Sequence, residues 1–438
     1  MQRIFVVRWA LLRVGCCQVL LSGLACTGSG GAPRGGIALE MRGADTITRE
    51  GVTVYYSKGL SRQAECFAGA VAKQLSYIQV TTAAKLPPWF GKPCVYLQSA
   101  DPVKPTKWPG NYVWELPLFV DPDKTSYEDI IDRNDTEYPH TWAHELIELT
   151  LVSGEQPRLL IDGRPERSLG EASSDKVYYT RWFREGFASY CAILACRAVD
   201  IDNGGGPDEI RSRMFNKRLY LVPFSSLAKV GTRLFTWTQY DDYADYTQGP
   251  DELQGRPPEG SHYDAALALF LIIEDKYGQR AIRDIMQEVN NLENGTGEDV
   301  KEIVSRVLGR DIVELVESHR FPYTGLTLAS VYRPPAAWTG GILKEGLVAY
   351  HVEDNSAAQR AGIVQHDVIL SVDGEETLRN FDFEYALYRH MQQESVKVGI
   401  WREGAGYMTI EMRLGEDLVP RRRGATAEMT DIRGHHTD

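Results

Sequence analysis

The stretch "HTWAHELIELT" (His140–Thr150) decides how this chain is read. In a helix, residues four apart share a face, so His144 and Glu148 point the same way with Glu145 beside them. Two side chains placed like this can share one metal ion while the adjacent carboxylate reaches the water that the ion activates. The spacing is that of H-E-x-x-H, with Glu148 standing where the second histidine would be. Carboxylates do bind zinc, but one histidine with two glutamates is a harder and more anionic set than two histidines with one glutamate, which extends the choice of metal toward manganese. His140 and His144 are also four apart. His140 and Glu148, however, would stand about 12 Å apart along a helix rising 1.5 Å per residue, so all three cannot hold one ion. Pairing His140 with His144 would also put Thr141, and no glutamate, after the first ligand. His144 with Glu148 is therefore the preferred pair, and a helix that keeps the fold but has lost the metal is the alternative.

A third ligand should come from another helix with a fixed face, and "RWFREGFASY" (Arg181–Tyr190) offers Glu185. Gly186 removes a side chain beside it, where a neighbouring backbone can come close. Further on, "SHYDAALALFLIIEDKYG" (Ser261–Gly278) is a buried helix ending at a glycine and carrying Tyr263, with His262 beside it as a packing or rim residue. Alone, such a tyrosine would be a packing residue.

Taken together and in this order, the three segments resemble the gluzincin (thermolysin-like, peptidase MA-like) metallopeptidases, whose second segment reads W-x-x-E-G-x-A-x-Y. The resemblance covers roughly Val52 to Phe321. It implies that His144, Glu148 and Glu185 are metal ligands, with zinc or another divalent ion such as manganese between them. It also implies that Glu145 is the general base and that Tyr263 donates a hydrogen bond to the oxyanion. Glu148 and Glu185 are 185 − 148 = 37 residues apart, more than in the compact members, which makes the intervening loop an insertion. No G-x-M-E-N strand of the aminopeptidase type precedes His140.

The segment from Gly346 to Leu414 changes to short alternating strands. It carries "SAAQRAG" (Ser356–Gly362) and "DVILSVDG" (Asp367–Gly374) and then a hairpin through "REGAGY". This resembles a PDZ domain, which implies β-augmentation by an extended peptide or chain terminus in its groove. A PDZ domain after a gluzincin domain is also the arrangement of the glycyl aminopeptidases.

The rest of the chain sets the context. Among 438 residues, 43% are hydrophobic and 25% charged, enough for two or three domains. The net charge is −12 with basic residues scattered, which argues against a nucleic-acid or anionic-membrane partner. Residues 1–26 read as an export signal with early arginines and a short apolar run. Its ending "GLAC" also fits a lipoprotein signal, with Cys26 as the lipidated residue, so the expected location is periplasmic, envelope-anchored or secreted. Outside this leader stand Cys66, Cys94, Cys191 and Cys196, either disulfide-bonded or buried as thiols.

The expected fold class is α+β: a zincin-like, mainly helical peptidase domain with a small N-terminal sheet, followed by a PDZ domain. The expected boundaries are a linker over 27–47, the peptidase-like domain over 48–325, a linker over 326–340, the PDZ domain over 341–417 and a disordered tail over 418–438. Protein or peptide substrates are the expected partners.

Overall fold

The computed structural model describes residues 45–49, 52–56, 59–85, 94–99, 117–120, 143–144, 147–148, 150–152, 158–160, 178–202, 222–237, 260–332 and 345–414. The leader with Cys26, His140, Glu145 and the tail over 418–438 lie outside the described residues, as do the side chains of Cys94 and Cys196. Clustering of the chain gives two compact units: residues 1–77 with 86–142, and residues 78–85 with 143–438.

The first unit holds a four-stranded sheet in the order β1 (Asp45–Arg49), β2 (Val52–Tyr56), β3 (Cys94–Ser99), β4 (Pro117–Val120). β1 and β2 are antiparallel, while β2–β3 and β3–β4 are parallel. Parallel neighbours need a long crossover. Between β2 and β3 that crossover contains helix α1 (Ser61–Thr82), most of which belongs to this unit. Ala64, Phe67, Ala68, Val71 and Leu75 are buried at helical spacing. Strand β1 takes up the end of the stretch expected as a linker, because Asp45–Arg49 pairs residue for residue with Tyr56–Val52.

In the second unit, helix α2 (Arg181–Asp202) is buried at every residue from Arg181 to Ala195. Its aromatic side chains explain how it stays inside. Trp182, Phe183 and Phe187 are 0–1% exposed, and Phe183 and Phe187 lie 5.4 and 5.7 Å from the Phe270 ring of helix α4 (Gly260–Val289). Each such burial stabilises by roughly 1.5–3 kcal/mol, which offsets the cost of holding Arg181 and Arg184 in the same helix. Gly186 is where the two helices touch: a Cβ there would stand 2.7 Å from the Ala266 carbonyl oxygen. Gly278, where the sequence places a helix end, has φ 79° and breaks α4 locally before the helix resumes.

Between these helices in sequence come α3 (Pro223–Val230) and a 3-10 turn (Gly231–Thr236) that ends at Trp237. Helices α5 (Gly297–Leu308) and α6 (Ile312–Glu317) follow α4. Thr296 and Asp299 form a reciprocal capping box at the start of α5, which fixes that boundary.

The C-terminal sheet runs β10 (Gly406–Arg413), β9 (Ser395–Arg402), β7 (Val368–Val372), β6 (Glu345–Val352), β5 (Leu326–Tyr332), with β8 (Glu375–Glu376) paired to β7. Helix α7 (Ala357–Ala361) and helix α8 (Asn380–His390) complete it. The linker expected over 326–340 needs correcting, because its first seven residues are edge strand β5, paired antiparallel to β6 from Leu326↔Val352 to Tyr332↔Glu345.

Helix α8 is tied to α3 by a buried carboxylate. Glu384 accepts from the backbone amides of Phe224 (3.0 Å) and Ser225 (3.1 Å) and from the Ser225 hydroxyl. These amides belong to the first turn of α3, where no intrahelical acceptor exists. Tyr388 stacks on Phe224 with centroids 4.3 Å apart and donates to Asp275 at 3.0 Å. Among the described residues no helix is long and apolar enough to cross a membrane.

Candidate metal centre

The described residues between 143 and 152 are helical, and Ala143, Ile147 and Leu151 are fully buried. This i, i+4, i+8 stripe fixes the segment's inner face and turns His144 and Glu148 together toward α2. On α2, Arg181, Glu185 and Ser189 recur every four residues and so also share one face.

The two faces meet. His144, Glu148 and Glu185 each offer a ligand atom, all within 4.8 Å of one another, and the three can hold a metal ion. His144 Nε2 lies 3.0 Å from Glu185 Oε2, while its Nδ1 lies 3.2 Å from Ser189 Oγ. A hydroxyl can donate or accept, so Ser189 holds the ring in place with either tautomer and leaves Nε2 facing the cluster. Tetrahedral ligands at 2.0–2.2 Å from an ion stand roughly 3.4 Å apart. His144 and Glu185 stand somewhat closer than that, at 3.0 Å, and all three ligand atoms lie within 4.8 Å, so the set's chemistry and spacing fit a divalent cation after small side-chain adjustments.

Two guanidinium groups balance the two carboxylates. Arg184, its side chain only 2% exposed, forms an ion pair with Glu148. Arg181 lies with Nε 3.4 Å from Glu185 Oε1 and also donates to the Tyr263 hydroxyl. Its guanidinium is 4.5 Å from the centre of the Trp237 ring and 5.3 Å from that of Tyr263, so aromatic faces and a carboxylate hold it together. Trp237 in turn packs edge-on against Tyr263 at 4.8 Å and stacks on His262 at 5.4 Å.

The carboxylates are not electrically equal. For Glu148, burial is the largest influence and raises its pKa, with the Glu185 charge adding and Arg184 opposing. Burial would raise Glu185 too, but the His144 hydrogen bond and the Arg181 charge outweigh it and hold Glu185 at about 2. Glu185 is thus the firmly ionised member and Glu148 the reluctant one.

Of the residues singled out by sequence, the structure brings together His144, Glu148 and Glu185, and links Tyr263 to them through Arg181. Glu145 lies outside the described residues. Sequence reasoning misses Ser189, Arg181, Arg184 and Trp237. Ser189 and Arg181 had a signal, being four residues either side of Glu185; Trp237 had none.

A PDZ-domain family model matches residues 317–409, so this part of the chain is a PDZ domain. None of the curated proteins compared matches the chain. Among solved structures, the HtrA3 PDZ domain bound to a phage-derived ligand is similar at 19% identity, covering 22% of this chain and 86% of that one, with a TM-score of 0.18. The HtrA-type protease AlgW with a decapeptide is similar at 19% identity and a TM-score of 0.22, over 26% of this chain and 34% of that one. An aminopeptidase N family protein from Idiomarina loihiensis is similar at 14% identity and a TM-score of 0.36, covering 85% of this chain and 67% of that one. None of these likenesses bears on what the chain does.

Proposed function

We propose that this chain is an exported, metal-dependent peptidase of gluzincin type whose PDZ domain binds substrate or partner peptides. The observation that carries this reading is the convergence of His144, Glu148 and Glu185, from two helices, on one buried point. When bound there, a divalent cation supplies Lewis-acid activation of water and of a peptide carbonyl. Ser189 orients the His144 ring, and Arg181 holds Glu185 in place. Tyr263, whose hydroxyl accepts from Arg181, donates a hydrogen bond to the oxygen that gains charge as the carbonyl is attacked. Glu145, next to His144 in sequence, takes the proton from the attacking water. Export rests on the composition of residues 1–26.

Elemental analysis after loading with zinc or manganese tests the metal. About one ion per chain in the parent and none in Glu185→Gln is the expected result, and no retention by the parent overturns the reading. Casein hydrolysis by the loaded parent, lost in Tyr263→Phe by about 10²–10³-fold, tests the chemistry.

One observation favours a second reading. Glu148 already has a counter-charge in Arg184, and two carboxylates facing two guanidiniums form a neutral set. In this reading the domain is a non-catalytic peptide-presenting partner of the PDZ domain, and the loaded protein retains no metal.

A further inference from the structure

We propose that Arg184 is a built-in competitor for the metal at Glu148, and that its charge is what makes this site's affinity for divalent cations weak and reversible. The inference rests on the metal reading above and names a residue that reading does not use.

Three observations lead to it. First, Glu148 brings a negative charge where a histidine would bring none, and Arg184 is the cation that pairs with it. The set His144/Glu148/Glu185 with Arg184 therefore carries the same net charge as two histidines and one glutamate. Second, Arg184 is buried to 2% exposure, and its Nε has no hydrogen-bond partner among the described residues. A guanidinium kept inside only for structure has its donors satisfied. Among the described residues its ion pair is with Glu148. Third, Arg184 directly precedes Glu185 on a helix buried on all sides, so its backbone cannot retreat when an ion arrives. A divalent cation between Glu148 and Glu185 must then share Glu148 with a cation a few ångströms away, in surroundings that screen charge poorly. To seat the ion, Arg184 must give up its contact with Glu148, and the loss of that contact opposes binding.

Titration of manganese and of zinc into the full chain, followed by calorimetry, tests this with Arg184→Met and Arg184→Lys beside the parent. Arg184→Met should bind either ion at least about tenfold more tightly than the parent, while Arg184→Lys, which keeps the charge, should stay near the parent. Equal or weaker binding by Arg184→Met overturns the inference while leaving the metal site standing. Binding by neither the parent nor Arg184→Met removes the metal reading itself, and this inference with it. Should Arg184→Met fail to fold, a crystal structure of the manganese-soaked parent decides. A guanidinium turned away from Glu148 supports competition, and an unchanged ion pair with an ion seated on Glu148 overturns it.

Discussion

Two carboxylate–guanidinium pairs in the second unit differ in a way that separates scaffolding from a site. In the PDZ domain, Arg402 Nε and Nη2 donate to Asp367 Oδ1 and Oδ2, each at 2.7 Å, and Nη2 also donates to the Gly362 carbonyl at 2.7 Å. Asp367 further accepts from the Val364 amide at 2.8 Å. Both partners are committed on several sides, and the arginine, 28% exposed, keeps contact with water. Glu148 and Arg184 instead meet through a single guanidinium nitrogen, with Arg184 Nε unpartnered among the described residues and Glu148 pushed toward its neutral form by burial. The first pair is complete in itself. The second is poorly satisfied beside two further side chains that could hold an ion, which is how a binding site differs from a strut.

The largest expected effect breaks the strut. Asp367→Ala removes three hydrogen bonds at once, leaving the Val364 amide without this acceptor and Arg402 with the Gly362 carbonyl. A stability loss of about 2–4 kcal/mol is expected, below the upper range for buried pairs because Arg402 can turn to water. Urea denaturation of the full chain, followed in the PDZ domain through Trp401, measures it. A loss under about 1 kcal/mol would erase the contrast between the two pairs.

Glu384 sharpens the comparison because it is buried like Asp367 but is met by amide and hydroxyl donors with no guanidinium on it. Burial, its largest influence, raises its pKa from 4.5 to about 7 despite the hydrogen bonds from Ser225. A raised carboxylate stabilises the fold fully below about 4.5, and this contribution is lost as pH rises through 7, on the order of 3 kcal/mol. His319, which faces Phe224 from α6's C-terminal side, works the other way. Burial lowers it from 6.5 to about 4, so its contribution grows as pH rises from 4 to 6.5. The two partly cancel in the parent. Glu384→Gln keeps an acceptor for the α3 amides and removes this falling contribution, so its stability relative to the parent should rise between about pH 4.5 and 7. Parallel pH profiles for parent and variant would remove Glu384 from the account.

How much of this was legible depends on whether the cause is local. His144, Glu148 and Glu185 are readable because helical spacing alone fixes which residues share a face, and Gly186 because a missing side chain beside Glu185 signals close backbone approach, here by Ala266. Strand β5 reads as linker because its partner β6 follows only after residues 333–344. Glu384 was out of reach: it caps amides 160 and 159 residues away, and nothing in "NFDFEYALYRH" announces that a helix N-terminus will arrive there. Arg181 and Arg184 look like ordinary exposed positions until the burial of Trp182, Phe183 and Phe187 carries the whole helix inside.

Ser189 gives the smallest and most discriminating effect. It touches no ligand atom of the cluster; its Oγ stands 3.2 Å from the other ring nitrogen of His144 and fixes how Nε2 is presented. Partners of this kind are worth 10–100-fold in metal affinity, or about 1.4–2.7 kcal/mol. Ser189→Ala should therefore weaken manganese binding by that factor while leaving urea stability within about 1 kcal/mol of the parent, since the position is a short hydroxyl on an otherwise well-packed helix. Ser189→Thr, which keeps the hydroxyl, should recover most of the affinity. If Ser189→Ala binds as well as the parent, Ser189 does not position His144, and the contact of Nε2 with Glu185 alone holds the ring.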